Sequence, residues 1–138
     1  MSWIYDAHIH LSDPEYKSNI DMILNYMNLL KIKACCVSMD LETSNETMNL
    51  YQKSKNILPF LGIHPEMAQK ESSSVYDLIE ENHQIINGIG EIGLDRTYID
   101  SEDEWNIQKQ VFSKQLSLAE KFNKPISIHS RKTLTDIF

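Results

Sequence analysis

The chain has 138 residues, of which 41% are hydrophobic and 24% charged, and its net charge is −7. That is the size and composition of one globular domain, not of a disordered chain. No apolar run nears the ~20 residues that cross a bilayer, no basic and apolar leader precedes the first element, and the acidic balance argues against a broad nucleic-acid surface. A local phosphate site is not excluded, because bound cations can supply the positive charge.

The first predicted strand, 3–9, runs through Asp6-Ala7-His8-Ile9-His10. Alternate residues on a strand share a face, so His8 and His10 point the same way. Two imidazoles so placed can share one transition-metal ion, or they are merely two exposed histidines at a strand end. Asp13-Pro14 marks a turn, and Ser18 with Asp21 resembles a capping box opening a helix. Its apolar stripe is Ile20, Ile23, Leu24, Met27 and Leu30. A strand over 34–39 follows and ends at Asp40. It carries the two cysteines, Cys35 and Cys36. Strand neighbours face opposite ways, so they are expected to be reduced and structural, as in a cytoplasmic protein.

A more polar helix over 43–55 leads to a buried strand over 57–63, which runs into His64-Pro65-Glu66. Ser72, Ser73 and Ser74 are expected to cap a helix through about His83, whose imidazole suits a helix C-terminus. A strand over 86–94 is interrupted by Gly88, Gly90 and Gly93, and the longest helix spans 102–123. A strand over 126–129 runs into His129-Ser130-Arg131, and another helix begins at Thr133.

Strands and helices alternate with no hairpin signal, which predicts βαβ crossovers and a parallel sheet. The ionisable candidates fall where strands end: Asp6, His8 and His10; His64; Glu91 and Asp95; His129 and Arg131. In parallel α/β folds ligands bind at the carboxyl ends of strands, so these distant residues are expected to converge. A carboxylate at Glu91, among apolar residues and glycines, is costly unless paired or coordinated. Asp95 reads as an orienter of a neighbour or a loop cap. His64 reads as a loop residue or a substrate contact, His129 as a core histidine or a site residue, and Arg131 as a surface residue or a phosphate clamp.

Asp-Ala-His-Ile-His-Leu (6–11), Gly-Ile-His-Pro (62–65), Gly-Glu-Ile-Gly-Leu-Asp (90–95), the pattern Phe112, Gln115-Leu116, Ala119, and Pro-Ile-Ser-Ile-His-Ser-Arg (125–131) resemble the TatD family of metal-dependent deoxyribonucleases, within the amidohydrolase-like superfamily. The resemblance implies a (β/α)₈ barrel of TIM type, with 1–138 as the N-terminal part of one domain covering about five strands. It implies one or two divalent ions (zinc, magnesium or manganese), with His8 and His10 on one, Glu91 bridging and catalytic, and His129 on the second. DNA or another phosphodiester is the implied partner, met also by His64 and Arg131, and no membrane is involved.

Glu66 stands where the family usually has a histidine, and Arg96 where it usually has a tyrosine. The family's later histidine and late aspartate are not in these residues, so little or no nuclease activity is expected of this chain alone. Ile126 and Ile128 or their neighbours are expected to face an incomplete interior. The open edges would favour self-association or docking to a missing C-terminal segment. The alternatives are an inactive or partner-requiring fragment that binds metal, and a hydrolase of small cyclic amides or esters on the same barrel.

Overall fold

The computed structural model describes residues 2–70 and 73–138. Its elements are β1 (Ile4–Ile9), α1 (Ile20–Leu29), β2 (Ile32–Val37), α2 (Leu41–Lys53), β3 (Ile57–Leu61), α3 (Ser74–Asn82), β4 (Gly88–Asp95), α4 (Glu102–Lys121), β5 (Ile126–Arg131) and α5 (Leu134–Ile137). The five strands form one parallel sheet in the order β1-β2-β3-β4-β5. Each consecutive pair is therefore a βαβ unit, as the alternation of elements predicts.

The sheet curls into a nearly closed barrel. β1 and β5 lie at opposite edges, yet His8 Nδ1 of β1 is 3.0 Å from Ser127 Oγ of β5. The apolar core lies between strands and helices, not in the barrel interior. Ile79 of α3, Ile89 and Ile92 of β4, and Phe112 and Leu118 of α4 form the larger cluster. Leu24 and Met27 of α1 pack with Ala34 and Cys36 of β2 and Ile57 of β3 in the smaller one.

Several local expectations are corrected. Ser18 and Asp21 do not cap α1: Asn19 is the N-cap and makes no side-chain capping bond. The turn Pro14–Tyr16, capped by Asp13, occupies the chain just before it. A capping box does form one helix later, where Asp40 accepts the Thr43 N–H and Thr43 Oγ1 accepts the Asp40 N–H. α2 accordingly starts at Leu41. Asp40 there does more than end a strand; its short carboxylate satisfies an otherwise orphaned N–H. At α3, Ser73 is the N-cap without a side-chain bond, and Ser72 lies outside the described residues.

β2 starts and ends two residues before its expected bounds. Ile4 pairs with Ile32, and Ser38 leaves the β2 ladder to bond across to β3 and β4. β3 ends at Leu61 and β5 extends to Arg131, which pairs with Asp95. Ile126 and Ile128 point away from the interior. Ser127 and His129 occupy the inward parity, while Ile126 packs against the helix-side core and Ile128 remains 39% exposed.

Two glycines let β4 approach β5. A Cβ on Gly90 would lie 2.7 Å from Ser127 Cβ. A Cβ on Gly93, whose φ is +151°, would lie 2.0 Å from the His129 carbonyl oxygen. The turn to a glycine-only backbone at Gly93 thus brings Glu91 and Asp95 of β4 beside His129.

Candidate metal centre

His8 of β1 and His10, the first residue past its end, point to the same place, their Nε2 atoms 3.3 Å apart, and the Asp6 carboxylate accepts the His8 N–H at 3.0 Å. β4 presents Glu91, which is 7% exposed. The Glu91 backbone is pinned from β2, where the Ser38 carbonyl accepts its N–H at 2.9 Å and the Ser38 N–H reaches the Gly90 carbonyl. Ser38 itself is fully buried, with its hydroxyl accepting the Gly62 N–H and touching Ser44.

The two Glu91 oxygens are divided between two sets of nitrogens. Oε2 lies 3.0 Å from His10 Nε2 and 3.3 Å from His8 Nε2, and those two nitrogens are 3.3 Å apart. Oε1 lies 3.0 Å from His129 Nδ1, which is in turn 3.1 Å from His64 Nε2. Both triads, His8 with His10 and Glu91, and His64 with Glu91 and His129, can hold a metal ion. The first has the right dimensions: the edge of a tetrahedron with zinc–nitrogen bonds of ~2.0–2.1 Å is ~3.3 Å. Imidazole and carboxylate are also the donor types that divalent zinc and manganese accept.

The electrostatics suit ligation. Burial lowers the His64 pKa to about 4, although Glu91 nearby pulls it the other way, so His64 is neutral at pH 7. Burial alone would raise Glu91. The hydrogen bond from His10, the charges of His64 and His8 and the hydrogen bond from His129 outweigh it and hold Glu91 at about 2. The carboxylate is therefore ionised, as a ligand must be.

The structure brings His8, His10, His64, Glu91 and His129 together and leaves Arg131 apart. Arg131, at the end of β5, is exposed, and its side chain makes no hydrogen bond or ion pair among the described residues. His83 stands at the end of α3, its Nδ1 2.8 Å from the Glu80 carbonyl oxygen and its ring stacked on Phe122, far from this cluster in role and contacts. Cys35 and Cys36 are free, and burial raises both thiol pKa values.

Some residues that build the site were not legible in the sequence. Gln108 and Gln115 on α4 are almost completely buried. Gln115 accepts the Ile63 N–H at 2.6 Å and donates to the Ile63 carbonyl, while Gln108 accepts the Asp95 N–H and donates to the Pro65 and Asp95 carbonyls. Each amide satisfies backbone groups just past a strand end and so fixes the exits carrying His64 and Asp95. Gln115 belongs to a recognisable sequence pattern; Gln108 had only its place on the helix face seven residues earlier. Ser127 was hidden by its position between two isoleucines.

A parallel, curled α/β sheet with a histidine–carboxylate cluster at its strand ends defines a barrel of the metal-site type. The chain belongs to the TatD related DNase family, whose model matches residues 5–138. It is 32% identical over 136 residues to the uncharacterized metal-dependent hydrolase MJ1582 of Methanocaldococcus jannaschii, covering 96% of this chain and 53% of that protein. It is 28% identical over 144 residues to human deoxyribonuclease TATDN3, covering 93% of this chain and 52% of the relative. The fold is similar to that of the TatD homologue YjjV from Escherichia coli, with a TM-score of 0.81 at 23% identity, covering 97% of this chain and 53% of that one. A TatD family hydrolase from Entamoeba histolytica gives a TM-score of 0.82 at 22% identity, covering 99% and 52%. The chain spans about half the length of the curated relatives it matches.

Proposed function

We propose that this chain carries the larger part of a two-cation site for hydrolysis of phosphodiesters, DNA in the first instance. The observation that supports it most is the division of Glu91, with one oxygen on His8 and His10 and the other on His129. His8, His10 and Glu91 would hold one divalent ion, zinc, magnesium or manganese, and Glu91 with His129 a second, with His64 at its side. Bound there, the ions supply Lewis acidity toward a phosphoryl oxygen and charge to offset the phosphate.

The chain's own groups do the rest. Ionised Glu91 keeps the two sets of nitrogens facing one another. His64 stands beside the second set as a substrate contact, and Arg131, exposed and unpaired at the mouth, is free to meet a phosphate. The names of relatives such as human deoxyribonuclease TATDN3 favour DNA over a small cyclic amide or ester.

We also propose that 1–138 is the N-terminal part of a single barrel domain. Eight strands close such a barrel, and five are present among the described residues. Ile4 and Tyr5 on β1, and Leu134 and Phe138 beyond β5, are exposed apolar residues that support self-association or docking of a complementary segment. Free thiols fit a cytoplasmic location; among the described residues no helix is long and apolar enough to cross a membrane.

The test is a DNA degradation assay on the 138-residue chain with manganese or zinc, beside calorimetric titration of the same ions. Metal binding with little or no hydrolysis is expected. Absence of binding overturns the metal reading, and hydrolysis at the rate of a full-length relative overturns the incompleteness.

A further inference from the structure

Three backbone amides past the end of β3 find their acceptors off the sheet ladder. The Gly62 N–H meets Ser38 Oγ at 3.0 Å, the Ile63 N–H meets Gln115 Oε1 at 2.6 Å, and the His64 N–H meets the Met39 carbonyl at 2.9 Å. Two of these acceptors belong to Ser38 and Met39, the first residues beyond β2.

The register shows what Ser38 gives up. In a parallel ladder every second residue turns both its N–H and its carbonyl to one neighbour, and bonds the residues on either side of its partner. Ala34, paired with Ile57, donates to the Asn56 carbonyl in that way. Val37 pairs with Phe60, so a regular continuation sets Ser38 opposite Leu61. Its N–H would then reach the Phe60 carbonyl, and it does, at 3.1 Å. Its carbonyl would accept the Gly62 N–H, but it accepts the Glu91 N–H of β4 instead, at 2.9 Å. The Ser38 hydroxyl takes the Gly62 N–H in the carbonyl's place. The β3–β4 ladder stops at Leu61 and Ile89, so beyond it β4 bonds to Ser38 of the next strand but one.

The hydroxyl is itself fixed. Ser38 and Ser44 are fully buried, and their Oγ atoms are 2.7 Å apart, which ties the β2 exit to α2. A buried N–H without an acceptor is costly. Without the hydroxyl, the Gly62 N–H is either orphaned or competes with the Glu91 N–H for one carbonyl.

We infer that Ser38 is a positioning residue: its buried hydroxyl relieves its own carbonyl of the β3 ladder and frees it to hold the Glu91 backbone, so that the carboxylate faces both sets of nitrogens. The consequence for metal rests on the two-cation reading; the exchange of hydrogen bonds does not.

Long-range HNCO spectra of the metal-free 138-residue chain detect a hydrogen bond as a coupling between the amide nitrogen and the acceptor's carbonyl carbon. A coupling from Glu91 to Ser38 is expected beside that from Ala34 to Asn56, a ladder bond of the same length. Its absence where the Ala34 coupling is seen, or a coupling from Gly62 to Ser38 in its place, overturns the inference. In Ser38→Ala the Glu91 amide is expected to exchange with solvent about 10-fold faster relative to the Ala34 amide. An unchanged ratio overturns the part given to the hydroxyl. If that variant does not fold, the couplings of the unsubstituted chain decide.

Manganese titration tests the consequence. Ser38→Ala is expected to weaken both equivalents by roughly 10-fold, because Glu91 serves both. Ser44→Ala breaks the same hydroxyl pair but keeps the acceptor for Gly62, so it is expected to lower stability while leaving affinity within about twofold. Unaltered affinity in Ser38→Ala, or an equal loss in both variants, overturns the positioning role. An unsubstituted chain that binds no manganese overturns the two-cation reading and leaves the hydrogen-bond result standing.

Discussion

β4 and β1 supply facing halves of one site but are built in opposite ways. All eight residues of β4 are buried, and Glu91 and Asp95 are fixed by bonds from Ser38, Gln108 and Thr97. No residue of β1 is buried, and His8 on it and His10 just past its end are held mainly by the Glu91 carboxylate and the Ser127 hydroxyl. A carboxylate that must stay ionised away from water needs a rigid, fully hydrogen-bonded surround. Imidazoles tolerate an open edge. Substitutions on the two strands should therefore separate stability from ligand chemistry.

The largest effect is expected on the β4 side. Gly93→Ala sets a Cβ 2.0 Å from the His129 carbonyl oxygen at a φ of +151°. Neither backbone can yield without breaking the β4–β5 ladder, so a loss of about 4 kcal/mol is expected in urea unfolding. A change below about 1 kcal/mol would mean that β4 and β5 are not packed as tightly as described.

Next in size is a pH effect at the end of β3. His64 has a native pKa of about 4 against an ordinary 6.5. Between those values the unfolded chain binds a proton that the native chain does not, so stability rises with pH and is lost as pH falls through the window. Glu91, held at about 2 against 4.5, acts lower: its contribution is present above pH 4.5 and is lost as pH falls toward 2. The span from pH 6.5 to 4.5 thus isolates His64, with a loss of roughly 2–3 kcal/mol. Equilibrium unfolding of the metal-free chain across this span should flatten in His64→Gln; an unaltered slope would contradict a buried, neutral His64.

Metal affinity comes third. Glu91→Ala removes oxygens from both sets of nitrogens, and manganese or zinc binding should fall by about 100-fold or more, roughly 2.7 kcal/mol. His8→Ala and His10→Ala should each cost about tenfold, with thermal stability almost unmoved because both side chains are partly exposed. If calorimetry finds unchanged affinity in all three, the cluster is a structural hydrogen-bond network and nothing more.

The same contrast explains how much could be read from the sequence. His8 and His10 were legible because strand parity is local and needs no partner. Glu91 was legible from the cost of a carboxylate amid glycines and isoleucines, and the parallel order of strands from simple alternation. Ser127 was not: its importance comes from curling of the sheet, which brings β5 opposite β1, and curvature leaves little trace in hydrophobic pattern. Of Ile126 and Ile128 or their neighbours, expected to face the interior, it is the neighbours Ser127 and His129 that do. In this barrel the interior is the polar side, where the histidine–carboxylate cluster lies, and the apolar face belongs to the helices. Capping failed at Ser18 because Asp13-Pro14 opens its own turn first, a competition between neighbouring N-terminal signals that spacing alone cannot rank.

The smallest effect is expected at the open edge, and it sharpens the comparison most. Ile4 on β1 is 60% exposed. Ile4→Ala removes little area that folding has taken from water, so urea unfolding of a dilute, monomeric chain should move by no more than about 0.5 kcal/mol. The equivalent change at Ile92 of β4, which is fully buried, should cost about 2–5 kcal/mol. The ratio between the two is the energetic signature of a wall and an edge. Raising the protein concentration tests whether the edge remains open. Should copies or a complementary polypeptide cover β1, Ile4 would become a buried residue, and its alanine variant would fall further behind the unsubstituted chain as concentration rises, with the logarithm of concentration. A cost above about 1 kcal/mol in the dilute monomer would show instead that β1 is already covered within the chain, and that its histidines stand in as firm a frame as Glu91.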